Sequence, residues 1–515
     1  MSVPVVDDTW LAALRADFAD AGFTFDAVVD FLGEDGALAW QQDRRVPLLH
    51  RCQQAEKTPL SALIRFFILG QSLPATTLAA ALPRTQVAGL VALGLAQLVG
   101  EYLRPLVHLA PHAATIGGAE HHWWVASDLG ALAGARPAPD HVLGVGGATR
   151  TLALATPPAP VDSALDLGTG CGVLALYLAT HAKRVVATDI SARACAFARF
   201  NAALNGVAVQ VRQGDLCGPV AGETFDLIVS NPPFVITAAA ARAGGVLEYR
   251  DGNMEGDALT ATVVGQVCDH LAAGGHAVVM GNWEVESAPA APQPADIPAW
   301  ANHVQRWLAG RDVAAWVVQR RQLSPAEYVR LWSQDSSAGQ GTGAESTELA
   351  WLEDFSARGV DSIGMGMVVL AAPPTSEHRG RFHPARCFEA IETSSSAAGE
   401  YLQSVVDVLA SGWEVSGADT LVRAEDVREE RHYLPGHADP QLVIATQGGG
   451  FGQRLRLSSE GAGFLGACDG ELTVGQIVAA IAVLTDAPAE DVWAGLRAPV
   501  EQLLRAGMVW PVHRS

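Results

Sequence analysis

The chain has 515 residues, 49% hydrophobic and 17% charged, with 55 acidic against 34 basic side chains and a formal net charge of −21. That length exceeds one hydrophobic core and implies about three domains, the composition excludes a wholly disordered chain, and the acidic balance speaks against a broad polyanion groove without a local basic patch. Seven cysteines, at 52, 171, 195, 217, 268, 387 and 468, show no C-x-x-C and no paired spacing, which argues for reduced, packed thiols rather than a zinc site or disulfide framework.

The first thirty residues carry Asp7, Asp8, Asp17 and Asp20 inside the apolar pattern, unlike a secretory signal. The longest apolar runs, Val87 to Gly100 and Ile363 to Pro373, are interrupted or too short for a bilayer span of about 18 residues or more. These features predict a cytoplasmic protein with no membrane partner. From Asp7 to about His112 apolar residues recur at helical spacing (Leu11, Leu14, Phe18; Leu60, Leu63, Ile64, Phe67, Ile68; Leu90, Leu93). The segments around Leu95 to Val99 and Tyr102 to Val107 then read as a small β-wing. The expectation is a helical, winged-helix-like domain over residues 1–117, used for packing or docking rather than for DNA, because Lys and Arg are sparse there.

From about Val142 to Leu370 short β-branched runs alternate with helical segments, which predicts a doubly wound α/β domain over residues 118–375. Its seven strands are expected at Ser163 to Leu167, Arg184 to Asp189, Val207 to Gln213, Phe225 to Ser230, His276 to Asn282, Val313 to Arg320 and Ile363 to Ala371. Ser333 to Ser346, rich in Ser, Gly and Gln, reads as a solvated loop. Residues 376–515 form a third, α+β domain, winged-helix-like from about residue 440, with helices at Thr473 to Leu484 and Ala489 to Ala506 followed by Met508, Val509 and Trp510.

The chemistry concentrates at the ends of these strands. Leu165-Asp166-Leu167-Gly168-Thr169-Gly170-Cys171-Gly172 joins a strand to a helix, where glycines let a ligand approach the backbone and the helix start favours polar groups. Position 173 is Val, so the run is G-x-G-x-G and not the dinucleotide fingerprint. Asp189 ends the next strand, where an acid can bond both hydroxyls of a ribose, or else cap the following helix. Asp215 follows the third strand beside Gly214, a position equally suited to a plain turn. Asn231-Pro232-Pro233-Phe234 follows the fourth strand, and two successive prolines fix a donor-free turn at the carboxyl edge of the sheet.

In this order the motifs resemble those of class I S-adenosylmethionine-dependent methyltransferases. The first is similar to their motif I, and the Asn-Pro-Pro-aromatic tetrapeptide to motif IV of the members that act on amino or amide nitrogens: the small-methyltransferase, HemK-like and N6-adenine types. The resemblance covers about half the chain. It implies a seven-stranded Rossmann-like domain with S-adenosyl-L-methionine held by Asp166, Gly168, Thr169, Gly170, Gly172, Asp189, Asp215 and Asn231, and catalysis by Asn231, Pro232 and Phe234, with no metal. Bonds from the acceptor N–H groups to the Asn231 oxygen and the Pro232 carbonyl would aim the nitrogen lone pair, and Phe234 would stack on the planar group.

Secondary signals remain. Asn201 and Asn205 resemble the family's A-R-x-N-x-x-x-N-G stretch and suit capping and packing. Leu143 to Thr149 reads either as a loop covering the methionine end of the cofactor or as a hairpin turn. Glu248 to Gly252 with Gly256 and Asp257 is a substrate-loop candidate, and His121-His122-Trp123-Trp124 lacks a third metal ligand, so an aromatic lid or core strand is the better reading. The first functional expectation is methylation of an exocyclic base amine in rRNA or tRNA, using Arg242, Arg250, Arg320 and Arg321 as a local basic surface. The alternative is a protein glutamine amide in a translation factor, and the remaining class is a regulator that binds the cofactor without catalysis.

Overall fold

A computed structural model describes residues 3–512 apart from 239–249, 252–253, 288–296, 334–341, 376–381, 383, 392–397 and 413. Its centre is an eight-stranded sheet. In chain order the strands are β1 (Val161–Leu167), β2 (Ala182–Asp189), β3 (Gln210–Gln213), β4 (Phe225–Ser230), β5 (Leu271–Glu286), β6 (Ala314–Leu323), β7 (Val360–Ala371) and β8 (Arg386–Ala390), and their spatial order is β8-β6-β7-β5-β4-β1-β2-β3. Strands β1 to β5 run parallel, β7 is antiparallel to both β5 and β6, and β8 pairs in parallel with β6. The sheet order reverses between β1 and β4, and the carboxyl ends of strands flanking such a point form a crevice. Continuous buried runs such as Val185–Ala187 and Ala277–Val279 are what a parallel sheet covered on both faces demands.

The helices that matter for the site are α1 (Gly147–Ala155), α2 (Val173–Leu178), α3 (Ala192–Leu204), α4 (Ala258–His270), α5 (Pro325–Ser333), α6 (Thr342–Ala357) and α7 (Gly399–Ala410). All seven predicted strands are present, with β8 as an eighth. Strand β8 and α7 extend the sheet domain past residue 375: Cys387, Tyr401, Leu402 and Val405 belong to the same core as Trp316 and Val369. The segment from Ser333 to Ser346 is not loop throughout, since α6 begins at Thr342.

The amino-terminal part is built of short helices and a three-stranded sheet of Leu73–Pro74, Tyr102–Pro105 and Ala96–Val99. A long hairpin, His108–Ile116 against Ala119–Ser127, follows it, and the expected boundary at 117/118 falls in its turn. Its core is continuous with the central domain, because Phe18, Phe67, Leu109 and Trp123 cluster with Tyr177, Phe197 and Phe200. The carboxyl-terminal part sets helices Ser459–Ala467, Val474–Thr485 and Ala489–Arg505 against a sheet of Asp469–Thr473, Thr420–Arg423 and Val509–Pro511, beside a second three-stranded sheet spanning residues 428–457.

Candidate functional site

The carboxyl ends of β1, β2 and β4 open into a cavity of about 830 Å³. Gly168, Thr169 and Gly170 form one wall, Asp189 and Asp215 another, and Asn231, Pro232 and Pro233 a third, so the three motifs scattered over some seventy residues of sequence converge. Gly168 and Gly170 have φ of +76° and +55°, and a Cβ on either would meet no atom within 4 Å. Their reason to be glycine is therefore backbone conformation and the free space in front of them. Gly172 differs: it lies off the cavity wall, its φ is +86°, and a Cβ would come 2.8 Å from Cα of Ala198 in α3. That glycine lets two helices approach.

Asp166 also lies outside the lining. Its side chain is fully buried beneath the turn, where Oδ2 accepts a hydrogen bond from the Thr169 hydroxyl at 2.5 Å and Oδ1 has no hydrogen-bond partner among the described residues. Burial is the main force pushing its carboxyl up to about 7, with the charge of Asp189 adding to it. Asp189 sits on the wall as a tie between turn and helix: Oδ2 accepts from Gly170 N and Oδ1 from Ser191 N, both at 2.9 Å. Burial raises its pKa too, against those backbone donors.

Asn231 leaves β4 with its Nδ2 donating to Thr149 Oγ1 of α1 at 3.3 Å. Its Oδ1 is buried and has no partner among the described residues. An unmet buried acceptor costs about 1–3 kcal/mol, and here the Oδ1 end carries that cost while Nδ2 meets Thr149. Pro232 is buried and Phe234 half-buried. Phe234 does not line the cavity, and its ring meets Trp332 of α5 at 6.4 Å and 69°.

Residues 140–144, carried in from the amino-terminal side, supply a further wall. Asp128 holds them: its Oδ2 accepts from Val142 N at 2.8 Å and its N donates to Val142 O at 3.0 Å, while its carboxylate forms a buried bidentate pair with Arg193 of α3. Sequence reading missed this strap, because nothing in the spacing of Asp128 and Arg193 links them. For Leu143 to Thr149 the sequence leaves a loop over the cofactor and a hairpin turn equally open; Leu143, Gly144 and Thr149 line the cavity, and from Gly147 the segment is helix α1.

Asn201 and Asn205 go beyond capping. Asn201 Oδ1 accepts from Ala126 N at 2.8 Å, and its Nδ2 donates to Ala126 O and Cys171 O at 2.8 and 2.7 Å. Asn205 does the same with the N and O of Trp124 at 2.9 and 2.8 Å. Two side-chain amides thus take the place of a neighbouring strand and fasten the hairpin to α3. In the His121 to Trp124 stretch, Trp123 is a core residue stacked between the rings of His112 and His121. No group of three His, Cys, Asp or Glu among the described residues is placed to hold a metal.

The expected basic surface is drawn inward at Arg250. Arg250 is buried, forked onto Asp251 at 2.9 and 3.1 Å and donating to Trp332 O at 3.2 Å. Arg320 donates to Thr151 Oγ1 at 3.3 Å, and Arg321 is exposed. Arg242, Glu248, Tyr249 and Gly252 lie outside the described residues, whereas Asp257 precedes α4 and turns its side chain away from the helix, accepting from Glu284 N and pairing with His303 at 3.0 and 2.7 Å.

With this geometry in place, comparison with known proteins is specific. Residues 144–244 match the model of the methyltransferase small domain, and residues 20–106 match a domain of unknown function. A release factor glutamine methyltransferase of Bordetella pertussis is 34% identical over 189 residues, 35% of this chain and 67% of that one. The chain belongs to the S-adenosylmethionine-dependent methyltransferases of class I. Within that family, the release factor glutamine methyltransferase of Deinococcus radiodurans is 49% identical over 81 residues, covering 15% of this chain and 29% of the relative. The ribosomal RNA small subunit methyltransferase C of Alcanivorax borkumensis is 39% identical over 70 residues, covering 14% and 21%. The chain thus spans from about a fifth to two thirds of the lengths of these relatives. No described helix is long and apolar enough to cross a membrane.

Proposed function

We propose that this chain transfers a methyl group from S-adenosylmethionine to a planar amino or amide nitrogen, and that Asn231 presents the acceptor. The observation that carries this is the buried, unpartnered Oδ1 of Asn231, held by Thr149 beside a cavity of about 830 Å³.

The residues present fit the cofactor. The free space before Gly168 and Gly170 suits close approach of its backbone-like end, and Asp189 and Asp215 offer acceptors to hydroxyl and amino groups. Asp166 and Gly172 serve from behind, as a buried tie to Thr169 and a packing glycine. When bound, the cofactor supplies an electrophilic sulfonium methyl.

The protein's own part is orientation. An amide or exocyclic amine has its lone pair delocalised into the adjacent π system and is a weak nucleophile. An N–H donating to Asn231 Oδ1, and the second to the Pro232 carbonyl, would fix the plane and turn the nitrogen toward the methyl. Phe234, next in the chain to the lining Pro233 but off the cavity wall itself, would have its ring face as a stacking contact for that plane, worth about 1–3 kcal/mol when the acceptor is a base. No base is needed before transfer, because the proton leaves a product that is more acidic than the acceptor.

A base amine in RNA and a glutamine amide both present such an NH₂ group. The RNA reading draws on the ribosomal RNA relative. The glutamine reading is favoured by the names of the longer and more identical matches, and by the engagement of Arg250 with Asp251 and Trp332 rather than with an outside phosphate. Radiolabelled methyl transfer into host extract, followed by ribonuclease or protease digestion, separates them. Label surviving ribonuclease but not protease establishes the glutamine class, the reverse establishes RNA, and label in neither fraction with cofactor bound contradicts both.

A further inference from the structure

We propose that Trp332, carried on the helical hairpin α5–α6 inserted between β6 and β7, is an acceptor contact whose indole N–H donates a hydrogen bond to the substrate next to the methylated nitrogen. This rests on the methyl-transfer reading and names a residue for its acceptor side.

Three observations converge on it. Phe234, the last residue of the Asn-Pro-Pro-Phe turn, has Trp332 as its ring neighbour, at 6.4 Å and 69°. The hairpin is fixed to the chain leaving that turn: Tyr328 of α5, fully buried, accepts from Ile236 N at 2.9 Å and from Asn282 Nδ2 at 2.8 Å, its ring meets Trp332 at 6.2 Å, and Arg250 binds the Trp332 carbonyl. Trp332 is therefore held against Phe234, the last residue of the motif, by Tyr328 and Arg250. Finally, Trp332 Nε1 is a buried donor without a partner among the described residues, as Asn231 Oδ1 is a buried acceptor without one.

An orphan acceptor on Asn231, which opens the motif, and an orphan donor on Trp332, the ring neighbour of the Phe234 that closes it, suit a planar group that carries an N–H and, one or two bonds away, a lone pair. A carboxamide has this pattern in its N–H and C=O, and so does the amidine edge of a nucleobase in its amine and ring nitrogen or oxygen. A burial cost that no protein group offsets would be met when such a ligand binds. An indole also brings a flat, rigid face at small entropic cost, which suits recognition of a planar group.

The test observes the indole directly. Protein labelled with ¹⁵N in its tryptophan side chains is saturated with S-adenosylhomocysteine, and the Trp332 signal is assigned by its loss in Trp332→Phe. N-acetylglutamine amide and guanosine are then added separately at millimolar concentration. The proposal expects the Trp332 signal to shift with at least one of them, and the shift to vanish in Asn231→Ala. An unmoved Trp332 signal with both compounds overturns it. In the methyl-transfer assay Trp332→Phe should lower kcat/KM by about two- to tenfold, the range of one hydrogen bond, with cofactor affinity unchanged. Trp351→Phe is the control: it removes another unpartnered buried indole N–H of the hairpin, one with no ring contact to Phe234 among the described residues, and should leave kcat/KM as it was. Equal losses in both variants would make Trp332 structural and overturn the proposal. Failure of the methyl-transfer reading would appear differently, as cofactor binding without label in any fraction.

Discussion

Thr149 and Asn231, 82 residues apart, meet at 3.3 Å, the hydroxyl oxygen of the first accepting from the side-chain amide of the second. Because Nδ2 is occupied, the acceptor nitrogen is offered Oδ1. Thr149→Val removes this anchor without changing side-chain size, and kcat/KM should fall by about two- to tenfold, the value of one net hydrogen bond. Thr149→Ser should restore it. A Val variant with wild-type turnover would show that the amide needs no such anchor.

Asn201 completes three hydrogen bonds in a fully buried position between α3 and the amino-terminal hairpin. Asn201→Ala strands the N and O of Ala126 and should cost about 2–4 kcal/mol of stability in urea unfolding. Asn201→Asp should cost more, since it keeps the acceptor but sets a charge against two carbonyls.

The glycine turn separates conformation from packing. Gly172→Ala puts a Cβ 2.8 Å from Ala198 Cα at a positive φ, so the melting temperature should drop by an amount equivalent to about 1–3 kcal/mol. Gly168→Ala carries only the cost of left-handed backbone, about 1–2 kcal/mol, yet its Cβ enters the space kept for the cofactor. Calorimetric titration with S-adenosylmethionine should therefore find the larger affinity loss in Gly168→Ala.

Legibility followed how local each signal was. The glycine turn, Asp189 and the Asn-Pro-Pro-Phe turn are contiguous and fall at strand ends, so their convergence followed from alternating strands and helices. Strand β8 escaped because five residues, Arg386–Ala390, with one fully apolar neighbour pair carry little periodicity. The Asp128–Arg193 strap and the Thr149–Asn231 bond join residues 65 and 82 positions apart, and no spacing rule reaches that far. The motif position of Asp166 suggests a cofactor ligand, while its bond to the Thr169 hydroxyl under the loop joins residues whose link the spacing does not show. Trp332 was hidden next to a Ser- and Gly-rich stretch that reads as solvent.

Burial pushes the Asp166 carboxyl up to about 7, above the unfolded value of about 3.9. The folded state then holds a proton that the unfolded state has lost. This contribution is fully present below about pH 4 and is lost as pH rises through about 7. Stability of the wild type relative to Asp166→Asn should therefore decline between about pH 5 and pH 8 in denaturant titrations. A difference that is flat over this window, or that rises, would place the Asp166 carboxyl as an ordinary ionised acid.

The measurement closest to the central claim compares Asn231→Ala with the wild type in two assays on one preparation: S-adenosylmethionine affinity by calorimetry and methyl transfer into the labelled host fraction. The account predicts that kcat/KM for transfer falls by at least about a hundredfold, as for loss of a group that orients the reacting nitrogen, while cofactor affinity changes by less than about tenfold. Transfer that survives the substitution at the wild-type rate would contradict it, because the acceptor would then be presented by something other than Asn231.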